Sequence, residues 1–491
     1  MTITPENTIL SNERGLIVDS PLRQYAHLQY ADSEKILDVQ FRLLNEQLDY
    51  AFSKSPYYRR LFNGAEKNWK ALTPFKGAEE SGKVLAPFKD AEESRNSLTL
   101  FKSLDGKFQG LSSMEDLAQI PFTEKAHLEN AGDFLTVSPE EIVDICLTSA
   151  TTGPHPTMVP QTAGDIARLA YNEEMAFRIA GITASDTVMI CAAMDRCFMA
   201  GLAYFMGSLK LQTTAVRAGS SNAAHLWELV KLTKPTVIIG VPSLMHLIGT
   251  YAIENKEHPD SSGIKKLVAI GEPIRDGNLD LLTMATALES MWDAPIFSTY
   301  ASTELATTFC ECESRCGGHL RPEMNVIEIV DENGKNLPDG EPGEVITTPL
   351  GITGMPLIRF RTNDISFIID KPCSCGRTTK RLAPVLGRKN QMLKYKGTTV
   401  FPNAIISALE GDARFHTGFV EALKNQDGTD RVTLFVSLTE PASGTSWLEE
   451  KIRAKVRVVP EIQVISCEKA DNIVYQFNKK RKRTIFFDKR G

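Results

Sequence analysis

Between residues 165 and 300, short apolar runs rich in β-branched side chains alternate with helix-length stretches; the runs are 187–192, 236–241, 267–270 and 296–300. Runs this short and this continuously apolar predict strands buried on both faces, hence βαβ units in a largely parallel sheet. Ligands of such sheets collect at the carboxyl ends of the strands. Gly271-Glu272-Pro273 after the third run and Ala301-Ser302-Thr303-Glu304 after the fourth are therefore expected to line one crevice. Beyond Cys316 the texture changes: 326–330 and 344–348, separated by the turn-forming stretches 331–335 and 338–343, predict antiparallel strands of a small barrel-like subdomain. The polar, basic stretch 389–397 predicts a linker. After it come a helix near 404–410, strands flanking Asp427-Gly428, a helix over 446–456 and a strand near 463–466. The predicted fold is α/β: a large multi-layer N-terminal domain (1–388, parallel sheets plus the small β-barrel-like subdomain) and a small mobile C-terminal α/β domain (389–491).

One segment reads as an insertion. The octapeptide beginning at Pro74 returns, with one change, at Pro87, thirteen residues later. Two copies at so short a period cannot stack into a solenoid, so 66–108 is expected to be a charged surface excursion rather than a docking element.

A chain of 491 residues exceeds one ordinary core, and 42% hydrophobic with 24% charged residues marks it as globular. A net charge of -6 offers no basic footprint for nucleic acid or an anionic membrane. The first residues carry no basic-then-apolar leader, and the apolar stretch 236–249 is interrupted by Pro242 and His246 and is too short to span a bilayer. These features predict a cytoplasmic enzyme with small-molecule partners. Nine cysteines, an odd count without an export signal, are expected to be reduced.

Four segments carry chemistry. Leu147 is followed by Thr148, Ser149, Ala150, Thr151, Thr152 and Gly153, whose hydroxyls and backbone N–H groups could cradle phosphates, although alone they make only a Ser/Thr turn. Thr299, Tyr300, Ala301, Ser302, Thr303 and Glu304 place an aromatic, a small-residue turn and a carboxylate in order. Glu304 suits Mg2+, which prefers oxygen ligands; otherwise it is a solvated acid at a helix start. Asp364, six residues beyond the strand-like 355–358, could accept two hydrogen bonds from ribose hydroxyls or could sit in a plain turn. The fourth segment runs from Gly387 and Arg388 through Asn390 to Lys394. Together, in this order, they read as a site that activates a carboxylic acid with ATP. Separately, Cys310, Cys312, Cys316 and His319 form one clump and Cys373 with Cys375 another, a donor set suited to a tetrahedral structural Zn2+ that staples distant loops. Buried reduced thiols are the alternative, and the Cys-x-Cys spacing is not that of a disulfide-exchange pair.

On these residues the chain resembles the adenylate-forming (acyl-CoA synthetase) superfamily, in its phenylacetate-CoA ligase-like branch. Thr148 to Gly153 resembles the phosphate loop, Gly271-Glu272-Pro273 the adenine-contact segment, Tyr300 to Glu304 the aromatic and magnesium motif, Arg361 to Asp364 the ribose motif and Gly387 to Asn390 the hinge. The run 392–402 continues the branch pattern, and 55–60 and 120–125 match it on either side of the insertion. The likeness implies an AMP-forming acid–CoA ligase that takes an aryl or arylacetic acid through an acyl-adenylate to a CoA thioester. Its implied cofactors and partners are ATP, Mg2+, CoA, a structural Zn2+ and a small carboxylic acid, without nucleic acid or membrane; a homodimer is compatible with the family and is not read from the residues. It implies Glu304, Arg388 and a C-terminal lysine as catalytic groups. Counting back from Asp488 puts that lysine at Lys482, with Lys480 as fallback. It also implies a zinc set of Cys312, His319, Cys373 and Cys375, with Cys310 and Cys316 as spares, a pivot near Lys389 and Asn390, and charge for CoA phosphates from Lys394, Lys396 and Arg483. Met194, Phe198, Met199 and Tyr204, with 299–302, are candidates for the acyl pocket. The chain departs from the pattern at Ala150 for glycine, Pro154-His155 for the loop lysine, Asn390 for aspartate and Arg481 for glycine. Those departures keep open adenylyl transfer to another acceptor, or a non-catalytic nucleotide-binding relative; Glu304, Asp364, Arg388 and the lysine favour an enzyme.

Overall fold

A computed structural model describes residues 18–63, 101, 108–148, 156–395, 398–425, 430–439, 444–456, 458–475 and 484–490. The duplicated segment, Ser149 to His155 and the basic stretch holding Lys480, Arg481, Lys482 and Arg483 lie outside the described residues.

The centre is a six-stranded sheet in the order Thr214–Arg217, Thr187–Ile190, Val237–Gly240, Lys266–Ala269, Ile296–Tyr300, Phe309–Cys310. The first five strands are parallel and the last is antiparallel, pairing Thr299 with Cys310 and Tyr300 with Phe309. The continuous apolar runs are explained by the two cores they separate. Met189, Ile238, Leu267, Ala269 and Ile296 point to one face, against Trp227, Met245 and Trp292. Val188, Ile190, Val237, Ile239, Val268 and Phe297 point to the other, against Phe177 and Tyr204. With both faces covered by helices there is no polar side to alternate with.

The antiparallel subdomain is built from two small sheets. One has the order Asn325–Val330, Gly343–Pro349, Phe360–Ser366, Gly387–Arg388; the other joins Ile368–Ile369, Arg381–Leu382 and Gly318–His319. Leu305, Phe309, Ile329, Val345, Ile368 and Leu382 share one core between them. Residues 355–358, read from sequence as strand-like, are irregular. Pro356 offers no N–H to a ladder and Arg359 takes a left-handed φ of 47°, so the strand begins at Phe360 and Asp364 lies within it.

The N-terminal part is helical. Ser33–Lys54 starts on an Asp32 cap whose carboxylate accepts from Lys35 N at 2.8 Å, and it buries Leu43, Leu44, Leu48, Ala51 and Phe52. None of the helices among the described residues is long and apolar enough to cross a membrane.

From Leu393 onward the chain packs around a core of its own, including Leu393, Ile405, Val420, Leu434, Trp447 and Ile452. Its sheet has the order Glu461–Val464, Asp430–Leu438, Phe415–Lys424, Phe486–Lys489, flanked by Pro402–Ser407, Ser446–Val456 and Cys467–Tyr475. The stretch 389–397 is not wholly a polar linker, because Leu393–Tyr395 pairs antiparallel with Thr398–Val400 and Leu393 is fully buried. Contacts to the rest of the molecule include Thr283 Oγ1 donating to Glu410 O at 2.8 Å and Lys455 facing Asp276 at 3.6 Å.

Candidate functional site

The strands Lys266–Ala269 and Ile296–Tyr300 are parallel neighbours, so the segments that follow them emerge side by side. Thr299 Oγ1 donates to Ala269 O at 2.8 Å and ties the two ends together. Gly271 turns the chain with a left-handed φ of 67°. Glu272 then reaches the first turn of the helix Pro242–Glu254, where its two oxygens accept from Ser243 N at 2.9 Å and Ser243 Oγ at 2.7 Å. The carboxylate thereby serves as a cap borrowed from a neighbouring strand, at the positive end of that helix. Pro273 follows in irregular backbone.

Three sequence-predicted residues from three separate segments meet at one point. Tyr300 Oη donates to Asp364 Oδ2 at 2.9 Å, and Arg388 Nε lies 3.2 Å from Asp364 Oδ1. Asp364 and Arg388 are cross-strand partners, so the ion pair is set by the register of the sheet. Burial pushes the Asp364 carboxyl up, while Arg388 and the Tyr300 hydroxyl pull it down. Burial, reinforced by Asp364, holds the Tyr300 phenol well above its ordinary value, so it remains a donor.

Glu304 sits on a tight turn in which Leu305 N donates to Ser302 Oγ at 3.0 Å and Ala306 N to Ser302 O at 3.1 Å. Its side chain is mostly buried, with Lys125 Nζ 3.3 Å from Oε1. Thr303, Glu304 and Met199 line a small cavity with Gln161, Arg168 and Leu357. Ala301 is exposed at the strand end. Thr148 is buried: its N–H donates to Thr157 O at 2.9 Å and its Oγ1 accepts from Thr157 N at 3.2 Å, whereas Ser149, Thr151, Thr152 and Gly153 lie outside the described residues. Asn390 O accepts from Arg490 Nη2 at 2.7 Å. Next to it, Lys389 Nζ meets the buried Glu344 at 2.8 Å.

The candidates for an acyl pocket separate. Tyr204 stacks on Phe177 inside the core, whereas Met194 and Phe198 are exposed around a loop in which Arg196 and Cys197 both have positive φ.

On the far side of the strand Phe309–Cys310, the ligand atoms of Cys312, His319, Cys373 and Cys375 all lie within 4.8 Å of one another. His319 Nδ1 is 3.0 Å from Thr379 Oγ1, which turns Nε2 towards Cys375 Sγ at 3.3 Å. Burial pushes His319 down to about 4, so its ring is neutral at neutral pH, as a metal ligand requires. Of the two spare thiols, Cys310 Sγ contacts Glu311 O at 3.5 Å, while Cys316 Sγ contacts Arg381 and also neighbours Cys373 at the edge of the cluster.

Residues 81–353, more than half of the chain, match the family model described as AMP-binding enzyme. The chain belongs to the AMP-binding enzyme family. Within it, the chain falls in the phenylacetate-CoA ligase-like branch of the adenylate-forming superfamily. It is 26% identical over 421 residues to the phenylacetate-coenzyme A ligase of Thermus thermophilus, covering 84% of this chain and 84% of that protein. In fold it is similar to 2-hydroxyisobutyryl-CoA ligase in the postadenylation state, with a TM-score of 0.74, 20% identity, and coverage of 94% of this chain and 92% of that one. Against the same ligase with CoA in the thioesterification state, at the same identity and coverage, the TM-score is 0.62.

Several residues of this candidate site carry no local signal in the sequence. Lys125 lies far from Glu304 in sequence and Ser243 far from Glu272, and the buried Glu344 stands opposite Lys389. Lys125 belongs to a segment matched to the family without a role; a cation near a carboxylate across so long a separation leaves no local pattern to read.

Proposed function

We propose that the chain is an AMP-forming acid–CoA ligase acting on an aryl or arylacetic acid. The substrate carboxylate attacks the α-phosphorus of ATP, pyrophosphate leaves, and the acyl-adenylate is then attacked by the CoA thiol with release of AMP. The observation that carries this reading is the node of Tyr300, Asp364 and Arg388 beside the strand end that leads to Glu304. A buried aspartate paired with a guanidinium and oriented by a phenol suits two ribose hydroxyls. Thr148, Ser149, Thr151, Thr152 and Gly153 would receive the phosphates and Gly271, Glu272 and Pro273 the adenine; Thr299, Ala301, Ser302, Thr303 and Asn390 would complete the wall. Lys482, or else Lys480, would supply a fixed cation to the α-phosphate as charge builds there.

Glu304 would hold Mg2+. Its carboxylate is a hard oxygen donor already set against a cation, Lys125, which fits an ion bound through one carboxylate and substrate phosphates. Bound magnesium would neutralise phosphate charge. Cys312, His319, Cys373 and Cys375 would hold a structural Zn2+, the mutual spacing of four N/S donor atoms being the supporting observation. CoA as acceptor is supported by the names of the ligase relatives. ATP and CoA as substrates are met together in the cytoplasm, where we place the enzyme.

ATP–pyrophosphate exchange with a panel of aromatic and short acids, followed by thioester detection, tests the assignment. Exchange with an aromatic acid and a CoA product is expected. Exchange without thioester would replace CoA by another acceptor, and ATP binding without exchange on any acid would leave only a nucleotide-binding relative.

A further inference from the structure

We propose that Arg168, on the helix Ala163–Ile179, is a positioning residue that locks the Glu304 turn in the geometry that receives magnesium-bound ATP. That role goes beyond, and rests on, Glu304 as the magnesium carboxylate.

Arg168 is 2% exposed, and among the described residues no carboxylate comes within ion-pair distance of it. Asp165, one turn earlier, is the nearest acid by sequence. Its oxygens are occupied by backbone donors: Thr162 N at 3.0 Å, Thr353 N at 2.8 Å and Gly354 N at 2.8 Å. The guanidinium is satisfied by oxygens from three chain segments instead. Nε donates to Leu350 O at 2.6 Å, Nη2 to Met324 O at 2.7 Å and to Thr307 Oγ1 at 3.2 Å, and Nη1 to Ala306 O. A buried cation with no carboxylate in contact is an expensive way to gain stability, because desolvation opposes it; burial pushes this arginine down to about 10, against the more distant pull of Asp165 and Glu323. What a planar five-donor fork gives in return is geometry: it fixes several carbonyls in one plane, which a lysine cannot do.

The carbonyls it fixes matter for Glu304. Ala306, two residues on, adopts a left-handed φ of 48°, a conformation that a residue with a Cβ takes only when its surroundings impose it. Arg168 binds the oxygen of that residue and the hydroxyl of the next. One helical turn further, Asn172 Oδ1 accepts from Thr308 N at 3.1 Å and Glu173 Oε1 from Thr308 Oγ1 at 2.5 Å. The turn that ends in Ala306 begins at Ser302, through the bonds from Leu305 N and Ala306 N, so Glu304 is carried on backbone held at both ends. Arg168 and Glu304 also border the same cavity.

The test is calorimetric binding of ATP by the full chain, with excess Mg2+ and separately with EDTA, for the parent, Arg168→Lys, Glu304→Gln and the double variant. Arg168→Lys keeps the charge and loses the fork. It should weaken ATP binding in Mg2+ by about tenfold, the scale of charged hydrogen bonds lost, and leave binding in EDTA within about twofold. The double variant should be no weaker than Glu304→Gln alone, because one residue acts through the other. Thr307→Val, which removes a single contact of the fork, should give a smaller loss of the same kind and guards against a lysine variant that folds poorly. Equal loss with and without Mg2+, or losses that add in the double variant, would overturn the positioning role while leaving the ligase assignment intact. A parent protein whose ATP affinity ignores Mg2+ would overturn Glu304 as the metal carboxylate, and the role of Arg168 with it.

Discussion

Replacing Glu173 with glutamine should stabilise the protein at pH 8 and do much less at pH 5. Glu173 is 3% exposed, on the helix face packed against Gly207. Its Oε1 accepts from Thr308 Oγ1 at 2.5 Å and Asn172 Nδ2 at 2.8 Å, while Oε2 has no hydrogen-bond partner. Burial pushes the carboxyl from its ordinary 4.5 up to about 7, against the pull of those two bonds. Between the two values the native state keeps a proton that the unfolded chain has released, so stability falls as pH rises through that window and the whole cost is present above it. At 1.36 kcal/mol per pH unit, the gap corresponds to about 3 kcal/mol at pH 8 and under about 1 kcal/mol at pH 5. Glutamine keeps the acceptor oxygen, carries no charge, and leaves its amide group unpaired equally at both pH values. The advantage of Glu173→Gln over the parent should therefore grow by about 2–3 kcal/mol between pH 5 and pH 8. Urea unfolding of both proteins across that range, followed by tryptophan fluorescence, measures the difference, with carboxylates common to both cancelling. An advantage flat within about 0.5 kcal/mol would refute a raised Glu173, and with it the picture of an unpaired oxygen sealed from water.

Tyr300→Phe removes a hydrogen bond that pulls Asp364 down, so KM for ATP should rise about fivefold and the acid limb of the pH profile should move to higher pH; an unchanged limb would mean the phenol does not tune the carboxylate. Purified protein should carry one zinc that Cys375→Ser removes, whereas Cys310→Ser should keep it because that thiol faces Glu311 O; elemental analysis decides. Gly207→Ala would set a Cβ 2.4 Å from Glu173 Cβ, and a cost of about 1–3 kcal/mol from overpacking should appear in thermal unfolding, a neutral result meaning that the two helices can part.

The central sheet was legible because burial on both faces removes polar residues from its strands, leaving runs such as 237–240 that only a covered parallel strand explains. The edge strand Thr214–Arg217 escaped notice for the complementary reason: exposed at both ends, it has no such run. The helix Ser33–Lys54 carries its buried apolar residues at helical spacing, a pattern that fixes a helix but points to no chemistry. Tyr300, Asp364 and Arg388 were found through their order in the chain, and the structure then brought them within hydrogen-bond reach. The neighbours that hold them, Lys125, Arg168, Ser243 and Glu344, were invisible because their partners are fixed by tertiary packing, which leaves no trace in local periodicity.

The reversal of direction at the end of the central sheet has a mechanical corollary. Residues 301–308 are bracketed by Tyr300 and Phe309, which pair with each other, so the bend bearing Glu304 is a closed hairpin. A carboxylate on backbone tied at Ser302, Ala306, Thr307 and Thr308 has little travel, so an incoming molecule must come to it.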